Sequence, residues 1–170
     1  MSLEERMCLP GMRICIAFVA LLLIGSSNGA RIWPDKVPDW RVEKEGLNEA
    51  QAEFLAALTT KHQGYHVTQD GSVIERLTEG GRGEKDAFPG YVYLRIGFAS
   101  DNHEVTYYPQ YYMVSKTTGD VWTATVPDAL KCHRLSFAAL QKTQKRIMSQ
   151  TGGSFQGEKP QRAALGCAHD

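Results

Sequence analysis

From Tyr91 to Phe98 the apolar residues Val92, Leu94, Ile96 and Phe98 alternate with Tyr91, Tyr93, Arg95 and Gly97. This period of two is that of a strand with one buried face. Ser100, Asp101, Asn102 and His103 form a polar turn, after which β-type residues run from Glu104 to Tyr108 and meet Pro109. Proline has no amide hydrogen to give to a ladder, so a bulge or a sheet edge is expected there. Tyr111 to Ser115 and Asp120 to Val126 flank Lys116, Thr117, Thr118 and Gly119. Gly119 can take the positive φ that a four-residue hairpin loop requires. The stretch from Tyr91 to Val126 therefore reads as an antiparallel β-meander.

Upstream the period changes. Leu47 to Lys61 reads as a helix, with Asn48 as N-cap, Gln51 closing a capping box, Leu47 stapled against Ala52, and Glu49 in the first turn. Ala50, Phe54, Ala57 and Leu58 form its apolar stripe, and Gly64 is placed to stop it. Tyr65 to Thr68 and Ser72 to Leu77 around Gln69, Asp70 and Gly71 have the chemistry of a hairpin. Residues 78–90, TEGGRGEKDAFPG, read as a mobile loop. Downstream, Pro127 is expected to end the last strand. Ser136 is expected to cap a second helix to about Gln150, with Phe137, Leu140, Ile147 and Met148 on one face.

Outside this body the pattern predicts four segments: a signal peptide at 1–30, an extended arm at 31–46, an α+β domain at 47–150, and a flexible tail at 151–170 tethered by Cys167. The apolar run Ile14 to Ile24 follows Arg13 and precedes small residues up to Ala30, the order of a cleaved secretory leader. At roughly eleven residues it is too short to cross a bilayer, so no transmembrane segment is expected in the mature chain. Glu4 and Glu5 are out of place in such a leader, which reads better from Met12; Met1 to Gly11 is then either a gene-model extension or a dispensable prefix. Trp33 and Trp40 are expected to tack the arm to the body. The periplasm, or the outside of the cell, is the expected compartment.

Removing the leader leaves Cys132 and Cys167, and an oxidising compartment favours their pairing. The closed loop of roughly 36 residues would add about 3–4 kcal/mol in the chain-entropy model. The chain has 19 Lys and Arg against 19 Asp and Glu, without the basic excess of a nucleic-acid binder. No histidine has metal-ligand spacing, no serine or cysteine nucleophile motif occurs, and no cofactor is expected. GGRGEKD lacks the spacing of a phosphate-binding loop.

What stands out is aromatic. Tyr107, Tyr108, Tyr111, Tyr112 and Trp122 offer the large, polar-tipped area that recognition surfaces use. Adjacent tyrosines in a strand point to opposite faces, so some must lie outside the core. An acid/base pair around His66 and His103 is the alternative site.

The segment YYMVSKTTGDVW, and within it Thr118, Gly119, Asp120 and Val121, resembles small extracytoplasmic domains of the PepSY and NTF2-like or cystatin-like kinds. The resemblance covers about 47–126. It implies a helix on an antiparallel sheet and a role in binding or inhibiting another protein, including immunity against secreted toxins. The expected fold is α+β: a helix packed on an antiparallel β-meander, a second C-terminal helix and one disulfide. The expected function is a secreted or periplasmic binding module, an inhibitor or immunity protein acting on an envelope-acting enzyme through a protein partner. A small NTF2-like hydrolase or isomerase and a structural envelope protein are the alternatives.

Overall fold

A computed structural model describes residues 36–67, 71–79, 85–99, 104–125 and 131–167. These fall in the second of two compact units, residues 31–170. Five antiparallel strands follow chain order across one sheet: β1 (Ser72–Leu77), β2 (Tyr91–Ala99), β3 (Val105–Ser115), β4 (Val121–Thr125) and β5 (Lys131–Leu135). The expected α+β fold and the Cys132–Cys167 disulfide are both present.

Helix α1 (Glu49–His62) starts as the capping residues dictate. The Asn48 side chain accepts from the Gln51 amide at 2.9 Å, and the Gln51 side chain accepts from the Asn48 amide at 3.1 Å. Its burial differs from the expected single stripe. Ala50 is exposed, whereas Ala52, Leu55, Ala56 and Thr59 are wholly buried, and burial runs unbroken from Ala52 to Thr60. The reason is that packing surrounds this helix. Val92, Leu94, Ile96, Tyr112 and Val114 of the sheet share its core with Val42 of the arm, with Leu47 just before the helix, and with Leu140 and Ile147 of a later helix. Trp40 meets Phe54 edge-on at 5.0 Å, while Trp33 lies outside the described residues. Thr59 and Thr60 tolerate this burial because their hydroxyls donate back to the Leu55 and Ala56 carbonyls at 2.6 and 2.7 Å.

Helix α2 (Ala138–Thr151) packs on the same side of the sheet through Leu140 and Ile147. Ser136 does not cap it. Phe137 occupies the cap position without a side-chain bond, and the Ser136 hydroxyl instead accepts from Gln141 at 2.8 Å. Phe137 stacks on His62 at 3.9 Å, joining the end of α1 to the start of α2.

The structure differs from the expected elements in three other places. Tyr65 to Val67 is not a strand, and residues 68–70 lie outside the described residues; the Tyr65 ring lies tilted against that of Tyr108 at 4.6 Å, and its hydroxyl accepts from Gln110 at 2.8 Å. Lys131 to Leu135, for which no element was expected, is β5, held in register with β4 from Thr125↔Lys131 to Val121↔Leu135. The tail expected to be flexible folds into helix α3 (Glu158–Ala164). Leu165 and Cys167 then join Tyr91, Met113, Trp122, Ala124 and Cys132 in a second core on the opposite face of the sheet.

The Lys116–Gly119 loop is the point where these pieces meet. Gly119 has φ +68°, which favours glycine, and a Cβ there would lie 2.4 Å from Ile147 Cδ1 and displace the tip of that side chain. Leu47 donates its amide to the Lys116 carbonyl at 2.8 Å, and the Thr151 hydroxyl donates to the Thr117 carbonyl at 2.7 Å. Asp120, 1% exposed, accepts from Thr118 Oγ1 at 2.6 Å and from Arg134 Nε and Nη2 at 2.9 and 2.6 Å. Gln161 of α3 reaches it at 3.4 Å, and the Phe155 ring covers the Arg134 guanidinium at 4.0 Å. The TGDV turn is thus a structural clasp.

Candidate binding surface

The two faces of the sheet are set by strand parity. Pro109 marks the expected bulge: between the pairs Gly97↔Tyr107 and Arg95↔Tyr111, Ile96 of β2 faces Tyr108, Pro109 and Gln110 of β3. β3 gains two residues there, an even number, so the alternation survives. Tyr108 and Tyr112 pack with the core on the α1 side, whereas Tyr111 packs with the second core on the opposite face. The strand continues through Pro109 from Val105 to Ser115. Its β4 pairing begins only at Gln110, so among the described residues 105–107 have a ladder partner on the β2 side alone, and Tyr108 and Pro109, in the bulge, have none.

The expected site residues divide accordingly. Tyr112 and Trp122 are 0% and 1% exposed and belong to the two cores; neither can touch a partner. Burial pushes the Tyr112 phenol up to about 12, and its hydroxyl donates to Gln63 at 3.1 Å. Tyr107, Tyr108 and Tyr111 are half-buried, each leaving part of its ring at the surface. Tyr108 lies between Tyr65 and Phe98, at 4.6 and 6.0 Å, and its hydroxyl donates to the His66 carbonyl at 2.7 Å. Phe98 and Val105, among the few large apolar side chains left exposed, sit on the same projecting end of β2 and β3. The His66 side chain is exposed and His103 lies outside the described residues.

Two site residues escaped the sequence. Glu75 and Arg95 are cross-strand partners on β1 and β2, and Tyr107 reaches over both. Arg95 Nε and Nη2 lie 2.7 and 2.6 Å from Glu75 Oε2, the Tyr107 hydroxyl donates to the same oxygen at 2.8 Å, and the Arg95 guanidinium stacks 3.8 Å over the Tyr107 ring. Gly97 makes room, since a Cβ there would stand 2.4 Å from the Thr106 carbonyl oxygen. The Tyr107 hydrogen bond, then that of Arg95, holds the Glu75 carboxyl below its usual range against a slight opposing effect of burial. Beside this cluster Tyr93 packs against Tyr111 at 5.5 Å and against Phe88 at 5.1 Å. Burial and the neighbouring Tyr111 push the Tyr93 phenol up to about 12.

The loop expected to be mobile is anchored where it is described. Asp86 bridges to Thr78 through the backbone, accepts from Arg76 at 2.8 Å and pairs with Lys116. Residues 80–84 lie outside the described residues. Burial alone would raise the Asp86 carboxyl, but the hydrogen bonds from Lys116 and Arg76 outweigh it and hold the carboxyl low. A carboxyl lowered by folding stabilises fully above its unfolded value of about 4, and that contribution fades as pH falls through the native value. Asp86→Asn is therefore expected to cost about 1–3 kcal/mol at neutral pH and to narrow its gap from wild type towards pH 3. Urea unfolding across that range checks it; parallel curves would show that Asp86 does not carry this acid sensitivity.

Residues 46–159 match the family described as T6SS, Immunity protein Tgi2PP. The chain belongs to the Tgi2PP family of type VI secretion system immunity proteins. A solved chain, from a type VI secretion system effector-immunity complex of Pseudomonas protegens, is 31% identical with a TM-score of 0.60; the match covers 79% of this chain and 100% of that one. No curated protein matches. The matched region contains the sheet, α1, α2 and the Lys116–Asp120 clasp, and the immunity protein expected in the sequence analysis agrees with the family. No helix among the described residues is long and apolar enough to cross a membrane.

Proposed function

We propose that this immunity protein works in the periplasm, binding an envelope-acting type VI effector of its own cell's lineage and silencing it. Family membership is the observation that carries the reading. The solved relative comes from an effector-immunity complex, which supports a protein effector as the partner. The apolar run Ile14 to Ile24 and its small-residue flank support export of the chain. For the contact surface the best support is the open end of the sheet, where Tyr107, Tyr108 and Tyr111 stand with Arg95 and Phe98. Tyrosine and arginine on a rigid strand lose little freedom when they are covered, and they dominate interface energetics elsewhere.

The test is co-expression with an envelope-acting type VI effector from the same genome, targeted to the periplasm. The full chain is expected to restore growth, and a chain begun at Arg31 without a leader is expected to fail. Protection by the leaderless chain would overturn the compartment, and failure of both forms would overturn the pairing.

A further inference from the structure

The cluster of Glu75, Arg95 and Tyr107 is not needed to hold the sheet together. Both carboxylate bonds are partly exposed, with Arg95 and Glu75 side chains 32% and 41% accessible, and such pairs add little stability. Its geometry does something else. All the bonds from Arg95 and Tyr107 end on Glu75 Oε2, while Oε1 has no partner among the described residues. Arg95 has committed Nε and Nη2 to the carboxylate and one face of its guanidinium to the Tyr107 ring. Arg95 Nη1 is the donor left over on the pair, and Oε1 is an acceptor without a partner among the described residues, fixed in position beside Tyr107.

We propose that Glu75, clamped through Oε2 by Arg95 and Tyr107, is the specificity contact of the effector-binding face and takes an effector arginine or lysine side chain on Oε1. This rests on the reading that the open end of the sheet is where the effector binds. The complementarity is of charge. A cation gains a charge-assisted bond from a carboxylate whose orientation is already fixed. An apolar or acidic side chain at that point would leave Oε1 without a donor, and a neutral donor would bring no countercharge, which disfavours mismatched effectors. The carboxyl, held below its usual range, keeps its charge in moderately acidic surroundings.

The experiment is calorimetric titration of the full chain with the purified toxin used in the co-expression test, at two salt concentrations. Glu75→Gln preserves shape and removes the charge. It is expected to weaken binding at least tenfold and to flatten the salt dependence, with an unmoved thermal midpoint. Tyr107→Phe, which loosens the clamp and keeps the ring, should give a smaller loss in the same direction. Unchanged binding by Glu75→Gln, or a loss with the salt dependence intact, would overturn the proposal. Tyr107→Ala separates the two levels. If it weakens binding while Glu75→Gln does not, the face stands and the specificity contact falls; if neither matters, the effector binds elsewhere and both readings fall.

Discussion

Replacing Asp120 by alanine is expected to lower the unfolding free energy by about 3–5 kcal/mol, the usual cost of stranding one partner of a buried ion pair. Thr118, Arg134 and Gln161 all converge on this carboxylate, which is 1% exposed. Alanine leaves the Arg134 guanidinium, 19% accessible and covered by Phe155, without its countercharge. For a folded unit of this size the midpoint should fall on the order of 10 °C. The β3–β4 loop, β5 and α3 lose a common anchor, so the loss should be global. Urea unfolding with a fluorescence readout measures it; a cost below about 1 kcal/mol would mean that the clasp is held by its backbone bonds and packing alone.

Opening the disulfide should come next in size. Cys132 and Cys167 are separated by 35 residues, and their Cα atoms are 5.6 Å apart. In the chain-entropy account the crosslink adds about 3–4 kcal/mol. Cys132 is on β5, whereas Cys167 follows α3, and both lie in the second core with Trp122 and Leu165. A paired Cys132→Ala and Cys167→Ala variant should therefore lose stability globally and lose amide protection first in α3. Hydrogen exchange resolves the second effect. Uniform loss of protection across the sheet and α3 would show that α3 does not open as a separate unit.

The parts of this fold that could be read from the chain are those whose cause is local. The alternation from Val92 to Ile96, the Asn48 and Gln51 capping box and the glycine of the Lys116–Gly119 loop each act within a few residues. The parts that could not be read depend on distant partners. KCHRL is a strand because Arg134 finds Asp120 and Cys132 finds Cys167, facts that no window of five residues contains. EKPQRAA is short and polar, and what it buries, Gln161 and the following Leu165, matters only against the back of the sheet. The site shows the same division. Adjacent tyrosines had to face opposite ways, and Tyr107 and Tyr111 lie on one side with Tyr108 and Tyr112 on the other. Burial of Tyr112 and Trp122 follows from the helices that cover them. Glu75 and Arg95 were hidden because their meeting with Tyr107 depends on the bulge opposite Ile96 and on the bare backbone at Gly97. Pro109 was the one local sign of it.

The run from Val105 to Pro109, paired on one side at most, also bears on how such a protein can change. Its side chains beyond the bulge contribute little to either core, whereas Gly119 and Asp120 are enclosed on every side. Substitutions can therefore accumulate at Phe98, Val105, Thr106 and Tyr107 with little effect on folding, while the clasp twelve or so residues later tolerates almost none. A lineage meeting a new toxin could exchange this tip as a cassette and keep the rest of the scaffold intact.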